Sequence, residues 1–387
     1  MKIAIITTMP FPSGEASVNR IMSYSKGLAE LGENVTVFST NVGNIEYQNI
    51  DGYRYKSLRR KYANPLLDKI SLFLALLSLL RKICVQSKCF DRLILISNSF
   101  VLILPLYLIC KIKNIPFLRE KSEFPFNLKT NSSVKLFFAR IYNKFIFRLC
   151  DGLIIMTNPL NDYFADKVKK SCRRIVMPMT VDNTRFQNVE VKNIYGDYIA
   201  YCGDIGGNKD GVESLINSFS LIEDDCPDLT LLLIGDSKEI DAFENLKKLV
   251  ERLSVKNIVF TGRVDRDIIP ELLCNAKVLV LARPNSLQSA GGFPTKLGEY
   301  LSTGNPVLVT AVGEIPFYLK DNENAFLVEP DNNRAFAEKL FFILNNYEMA
   351  KEVAKKGQKL SETTFNYKYQ SKRLQEFLIN EFNEKRS

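Results

Sequence analysis

Two widely separated stretches constrain this chain most, because each couples a buried-strand signal to a glycine-bearing loop and an amphipathic helix. The first is Lys2-Ile3-Ala4-Ile5-Ile6-Thr7-Thr8, then Met9-Pro10-Phe11-Pro12-Ser13-Gly14. A helix should follow with Val18, Ile21, Met22, Leu28 and Leu31 on one face, stopped by Gly32. Val35-Thr36-Val37-Phe38 reads as the next strand. The second stretch runs from Tyr198-Ile199-Ala200-Tyr201-Cys202-Gly203 through Asp204 to Lys209-Asp210-Gly211. A strand–loop–helix–strand unit opens a parallel, doubly wound sheet. Two such openings in 387 residues predict two α/β domains, which we place at 1–190 and 191–365. The polar run from Asn188 to Asp197 reads as the linker, and residues from about 366 to 387 as a last amphipathic, polar-rich helix.

A third stretch carries the chemistry: Gln288-Ser289-Ala290-Gly291-Gly292-Phe293-Pro294-Thr295-Lys296-Leu297-Gly298-Glu299, ending in Gly304-Asn305-Pro306. It reads as a glycine loop opening a short helix that Gly304 closes. Gly291 and Gly292 admit a ligand close to the backbone. First-turn N–H groups around Thr295 to Leu297 suit a diphosphate. Glu299 shares a helix face with Thr295, and its carboxylate could accept from two neighbouring hydroxyls, as on a ribose.

At these residues the chain resembles the retaining glycosyltransferases of family four. The resemblance implies a GT-B fold, two Rossmann-like doubly wound domains facing each other across a cleft, with the last helix, about 366–387, packing back on the first. Glu299 falls on the family's second glutamate, which holds the ribose, whereas Gly291 stands where the first glutamate is usual. The stretch after Tyr201 resembles Y-x-G-R-x-x-x-x-K-G, so Gly203 and Lys209 fall at the diphosphate, with Asp204 where arginine is usual. Arg263 or Arg283 could supply that charge. The strand ending in Gly262-Arg263-Val264 implies a backbone beside Val264 that reads the base edge, and Gly14 a loop near the diphosphate. Phe117-Leu118-Arg119-Glu120 with Lys121-Ser122-Glu123-Phe124-Pro125 matches a polar segment of the cleft, which makes Glu120 or Glu123 a contact for acceptor or sugar. Cys150 to Thr157 and Val176 to Asp182 with Phe186 resemble the elements that close the first domain.

The reaction so implied transfers a sugar from a UDP- or GDP-sugar with retention. It needs no bound cofactor and no metal: the leaving diphosphate takes the acceptor proton and the protein stabilises the charge that develops. The chain has no histidine, which excludes Ser-His-Asp catalysis and histidine-based metal sites. It also weighs against an epimerase of the same fold, which needs acid–base groups. A non-catalytic module that binds nucleotide sugars or scaffolds at a membrane is the alternative, suggested by Gly291 and Asp204.

Charge points to the acceptor. Residues 1–190 hold 28 Lys/Arg against 14 Asp/Glu, and residues 51–150 alone hold 19 against 5. Such asymmetry suggests that the first half faces a polyanion. Residues 59–83 read as one basic and aliphatic helix, from Arg59-Arg60-Lys61 to Arg81-Lys82, with an apolar part too short to span a bilayer. Val101 to Cys110 is also too short and contains Pro105. We therefore expect a cytoplasmic protein, peripheral on the inner face of the membrane through anionic lipid, that extends a lipid-linked saccharide in surface polysaccharide (capsule or lipopolysaccharide) or glycolipid synthesis. No nucleic-acid recognition motif accompanies the charge. The eight cysteines are scattered without a C-x-x-C pair and read as buried thiols.

Overall fold

The computed structural model describes residues 1–12, 16–85, 90–125, 143–190, 194–207, 209–237 and 240–382. The chain divides into two compact units, Met1–Thr180 with Tyr367–Ser387, and Val181–Asn366. The division precedes the polar stretch from Asn188 to Asp197. Val181 N–H donates to Phe365 O at 2.8 Å, and the turn Asn183–Phe186 is likewise part of the second unit.

In the first unit the strands are β1 (Lys2–Thr7), β2 (Asn34–Val42), β3 (Gln48–Ile50), β4 (Tyr53–Arg59), β5 (Arg92–Ile96), β6 (Phe117–Lys121), β7 (Gly152–Ile155) and β8 (Arg173–Val176). They form one sheet in the order β3-β4-β2-β1-β5-β6-β7-β8. All neighbours are parallel except β3 and β4, which form a hairpin at the edge. Strands buried on both faces read as continuous aliphatic runs, as β1 does. The helix Ala16–Glu30 lays Val18, Ile21, Tyr24 and Leu28 on this sheet, each fully or almost fully buried. Each such side chain contributes roughly 1.5–3 kcal/mol through burial. The helix Tyr367–Asn380 completes the same core with Leu374, Phe377 and Leu378. Gly27 permits that contact, since a methyl group there would collide with Ser371.

One expected boundary needs correction. The basic, aliphatic helix spans Pro65–Val85, and Arg59 ends β4 instead of opening the helix. The hairpin before it turns at Asp51 and Gly52, both at positive φ (46° and 82°), the arrangement a two-residue hairpin turn favours. Tyr53, Tyr55 and Ser57 then alternate inward, which makes the segment a strand. The helix Phe100–Ile112 carries Pro105 within it. Among the described residues no helix is long and apolar enough to cross a membrane.

In the second unit the strands are β9 (Asp197–Cys202), β10 (Leu229–Ile234), β11 (Ile258–Gly262), β12 (Val278–Leu281), β13 (Val307–Thr310) and β14 (Phe326–Val328). Their order is β11-β10-β9-β12-β13-β14, all parallel. Numbered within the unit this is 3-2-1-4-5-6, the Rossmann order, in which the winding reverses between the first and fourth strands. That reversal lies between β9 and β12. It opens a crevice at their carboxyl ends, next to Gly203 and Arg283.

Candidate active site

At the carboxyl end of β9, Tyr201 is the last inward-facing residue and Gly203 follows it. The helix Lys296–Ser302 brings Lys296 over this end. Its ammonium donates to Tyr201 Oη at 2.9 Å and to Asp210 Oδ2 at 2.5 Å, and sits 4.2 Å from the Tyr201 ring centroid. Gly203 makes the arrangement possible. A Cβ on it would collide with Lys296 Nζ and stand 2.7 Å from Tyr201 Oη.

Asp210 gathers the cluster. Its Oδ1 lies 3.5 Å from Arg283 Nε, while Tyr201 Oη donates at 3.1 Å to the Oδ2 that Lys296 holds. Burial alone would raise its carboxyl, yet Lys296 and Arg283 hold it below the usual carboxylate range. The same burial, with the Asp210 charge beside it, pushes the Tyr201 hydroxyl far above its ordinary value. Tyr201 therefore acts as a neutral donor. Gly211 fixes the loop in turn: it is at φ +71°, and a side chain there would strike the Ala282 carbonyl after β12.

Glu299 lies one turn further along the same helix. It pairs with Arg185 Nη1 at 3.2 Å, and Arg185 Nη2 donates to Arg266 O at 2.8 Å. Burial raises the Glu299 carboxyl, opposed chiefly by Arg185. The neighbouring Tyr300 is fully buried, and its hydroxyl accepts from Cys202 N–H at 2.8 Å, which locks the helix to the end of β9. The cluster thus alternates in sign, with Arg283, Asp210 and Lys296 on one side and Glu299 with Arg185 on the other.

The sequence-derived residues separate into three groups. Gly203, Lys296, Arg283 and Glu299 come together around the switch point, while Lys209 is exposed and its carbonyl accepts from Arg283 Nε at 3.3 Å. Gly262 ends β11 at φ +67° with open space around it, and bridges to Gly235; Arg263 is exposed and Val264 half-buried. Within the glycine stretch, Gly291 closes the helix Leu287–Gly291 and is buried with Gly292 and Pro294, so the expected loop is helical up to that point. Phe293 packs on Tyr318 and Phe365, and Leu297 is fully buried. Both side chains are core. The expectation of free N–H groups from Thr295 to Leu297 is corrected at Leu297, whose N–H donates to Pro294 O at 3.1 Å in a tightened first turn.

In the first unit Glu120 is 6% exposed and accepts from Arg20 Nε at 3.0 Å. Arg20 also donates to the Pro178 and Met177 carbonyls, at 2.7 Å each. Burial raises the Glu120 carboxyl, and Arg20 works against it. The pair braces the helix Ala16–Glu30 against β6 and the chain after β8, so the Glu120 carboxylate, expected to contact acceptor or sugar, is buried and paired with Arg20. Glu123 is exposed. Gly14 lies outside the described residues.

Asp210, Tyr201, Arg185 and Tyr300 were not singled out in the sequence. Asp210 had a signal, since it adjoins Lys209 at the start of a helix. The others sit within strand or turn motifs whose polar groups gave no sign of their partners.

The whole-chain architecture matches solved structures. A sucrose-phosphate synthase from Thermosynechococcus elongatus superposes with a TM-score of 0.76 at 18% identity, covering 99% of each chain. The fold is GT-B. A second GT-B structure, Anabaena HepE in complex with UDP, gives a TM-score of 0.72 at 14% identity over 98% of this chain and 99% of that one. Residues 196–346, within the second unit, match the family described as Glycosyl transferases group 1. An uncharacterized glycosyltransferase of Methanocaldococcus jannaschii is 26% identical over 152 residues, or 39% of this chain. The match spans 40% of that relative's length.

Proposed function

We propose that the protein is a glycosyltransferase that takes a sugar from a nucleoside diphosphate donor, a UDP- or GDP-sugar, and places it with retention on a lipid-linked saccharide. The observation that carries this reading is the Lys296–Asp210–Arg283 cluster over Gly203, at the strand reversal of the domain that matches group 1 glycosyl transferases. UDP in the HepE complex favours a nucleotide donor. Ligands of open α/β sheets bind at the carboxyl ends of strands where the winding reverses.

In this reading Lys296, Arg283 and Lys209 offset the charge that grows on the leaving diphosphate, and Glu299 holds the ribose once Arg185 shares it. No step calls for a metal. The chain works at the inner face of a membrane, with the basic residues of 51–150 towards anionic lipid, in polysaccharide or glycolipid assembly. One observation favours the non-catalytic alternative: Glu299 is already paired with Arg185.

A thermal-shift survey of UDP-, GDP- and ADP-sugars, followed by radiolabel transfer to extracted membrane lipid, tests the proposal. Stabilisation by one base series and transfer lost in Lys296→Met are expected. Tight nucleotide binding without transfer to any lipid or sugar supports the alternative. Absence of nucleotide binding sinks both.

A further inference from the structure

We propose that a groove in the first unit binds an amphiphile in which an anionic phosphoryl head is joined to an apolar chain. The assignment deepens the acceptor side of the function above and rests on it for its catalytic meaning. The groove encloses about 350 Å³. That is within the roughly 300–1,000 Å³ of small-ligand sites. It lies at the carboxyl ends of β1, β2 and β4, under the helices Pro65–Val85 and Phe100–Ile112.

Its polar floor offers donors. Thr40 is 3% exposed, lines the groove, and its hydroxyl meets no protein partner among the described residues. Ser99, at the N-cap of Phe100–Ile112, makes no side-chain cap bond. Arg59 is held from one side: Nε donates to Ser71 Oγ at 3.2 Å and Nη2 to the Asp68 carboxylate and, at 3.4 Å, its carbonyl. Arg59 itself lines the groove, and its Nη1 makes no hydrogen bond among the described residues. The Thr40 hydroxyl and the Arg59 guanidinium line the groove, where an occupant that supplies acceptor oxygens can replace water at them. A phosphoryl group does so, and its charge complements Arg59.

The wall is the opposite in character. Leu72, Leu76 and Val101 line it, and Val101 is 60% exposed. Beyond the groove the same helices leave Phe73, Leu77 and Phe100 open to solvent. Inorganic phosphate would leave this wall wet, and a neutral hydrocarbon would leave the floor donors unsatisfied. An anionic amphiphile satisfies both, with its chain leaving along the exposed apolar face. Arg60 and Lys61 before the first helix and Arg81 and Lys82 near its end add charge complementarity to such a ligand.

Calorimetric titration of the full chain with dodecyl phosphate, inorganic phosphate and dodecyl maltoside, each below micelle formation, tests the proposal. Dodecyl phosphate should bind at one per chain, at least about tenfold tighter than either of the others. Thr40→Val and Leu76→Asn should each weaken it by roughly tenfold, without changing nucleotide binding by the second unit. Thr40→Val is nearly isosteric and guards against a folding defect in the other variant. Equal binding of dodecyl maltoside, or affinity untouched by both substitutions, overturns the groove. Dodecyl phosphate binding without any nucleotide-sugar binding would keep the groove and remove the donor reading; the converse would remove the groove alone.

Discussion

Asp210→Asn tests whether the switch-point charges act as one cluster. Asp210 is 8% exposed and takes Lys296 Nζ at 2.5 Å, Tyr201 Oη at 3.1 Å and Arg283 Nε at 3.5 Å. The amide keeps the shape and removes the carboxylate that those two cations share. Removing one partner of a buried ion pair costs about 3–5 kcal/mol. Lys296 has a side-chain exposure of 14% and can turn towards water, which lowers the expectation to about 2–3 kcal/mol. For a unit of this size each kcal/mol moves Tm by roughly 2–4 °C, so the second unit should melt roughly 5–10 °C lower. The pH dependence has a definite sign. The folded carboxyl titrates below its unfolded value, so its contribution is present above the unfolded value and lost as pH falls through the folded one. Calorimetry of both proteins should therefore show the full gap at neutral pH and a shrinking gap below about pH 4. A variant that melts within about 1 °C of the wild type at neutral pH, or a gap that ignores acid, would refute the cluster.

Other substitutions probe neighbouring features. Gly203→Ala adds a Cβ at φ +158° that displaces Lys296 Nζ and meets the buried Tyr201 hydroxyl, so both Tm and nucleotide affinity, each measured by calorimetry, should fall. Gly211→Ala meets the backbone carbonyl of Ala282 at positive φ and should cost about 2–4 kcal/mol by denaturant unfolding. Arg20→Met leaves Glu120 buried without its guanidinium and should cost about 3–5 kcal/mol in the first unit, with partial rescue by Glu120→Gln in the double mutant. Glu299→Gln should weaken binding of a ribonucleotide by roughly tenfold more than that of its 2′,3′-dideoxy analogue, as expected for bonds to a charged acceptor.

Much of the architecture was legible because parallel strands buried on both faces must be aliphatic, and β1, β5, β10 and β12 say so directly. The edge hairpin was not, because Tyr53-Arg54-Tyr55-Lys56 shows the core only alternate residues and its basic side chains merge with those of the following segment. The Asp51-Gly52 turn was the overlooked cue. At the site, glycines told where the backbone bends but not which side chains would meet there. Lys296 and Asp210 are 86 residues apart and Arg185 and Glu299 are 114 apart, so only the folded sheet pairs them. Phe293 and Leu297 were expected near a ligand for their place in the motif, and the core claimed both because an aromatic and a leucine gain more from burial than from facing a diphosphate.

The crossing between units has a practical consequence. The chain leaves the first unit after Thr180 and re-enters it at Tyr367, and the stubs of the intervening piece lie side by side, Val181 bridged to Asn366 and bonded to Phe365. A segment whose two ends already touch behaves as an insertion: residues 181–366 can be excised as one autonomous fragment, and the flanking parts rejoined by a short connector.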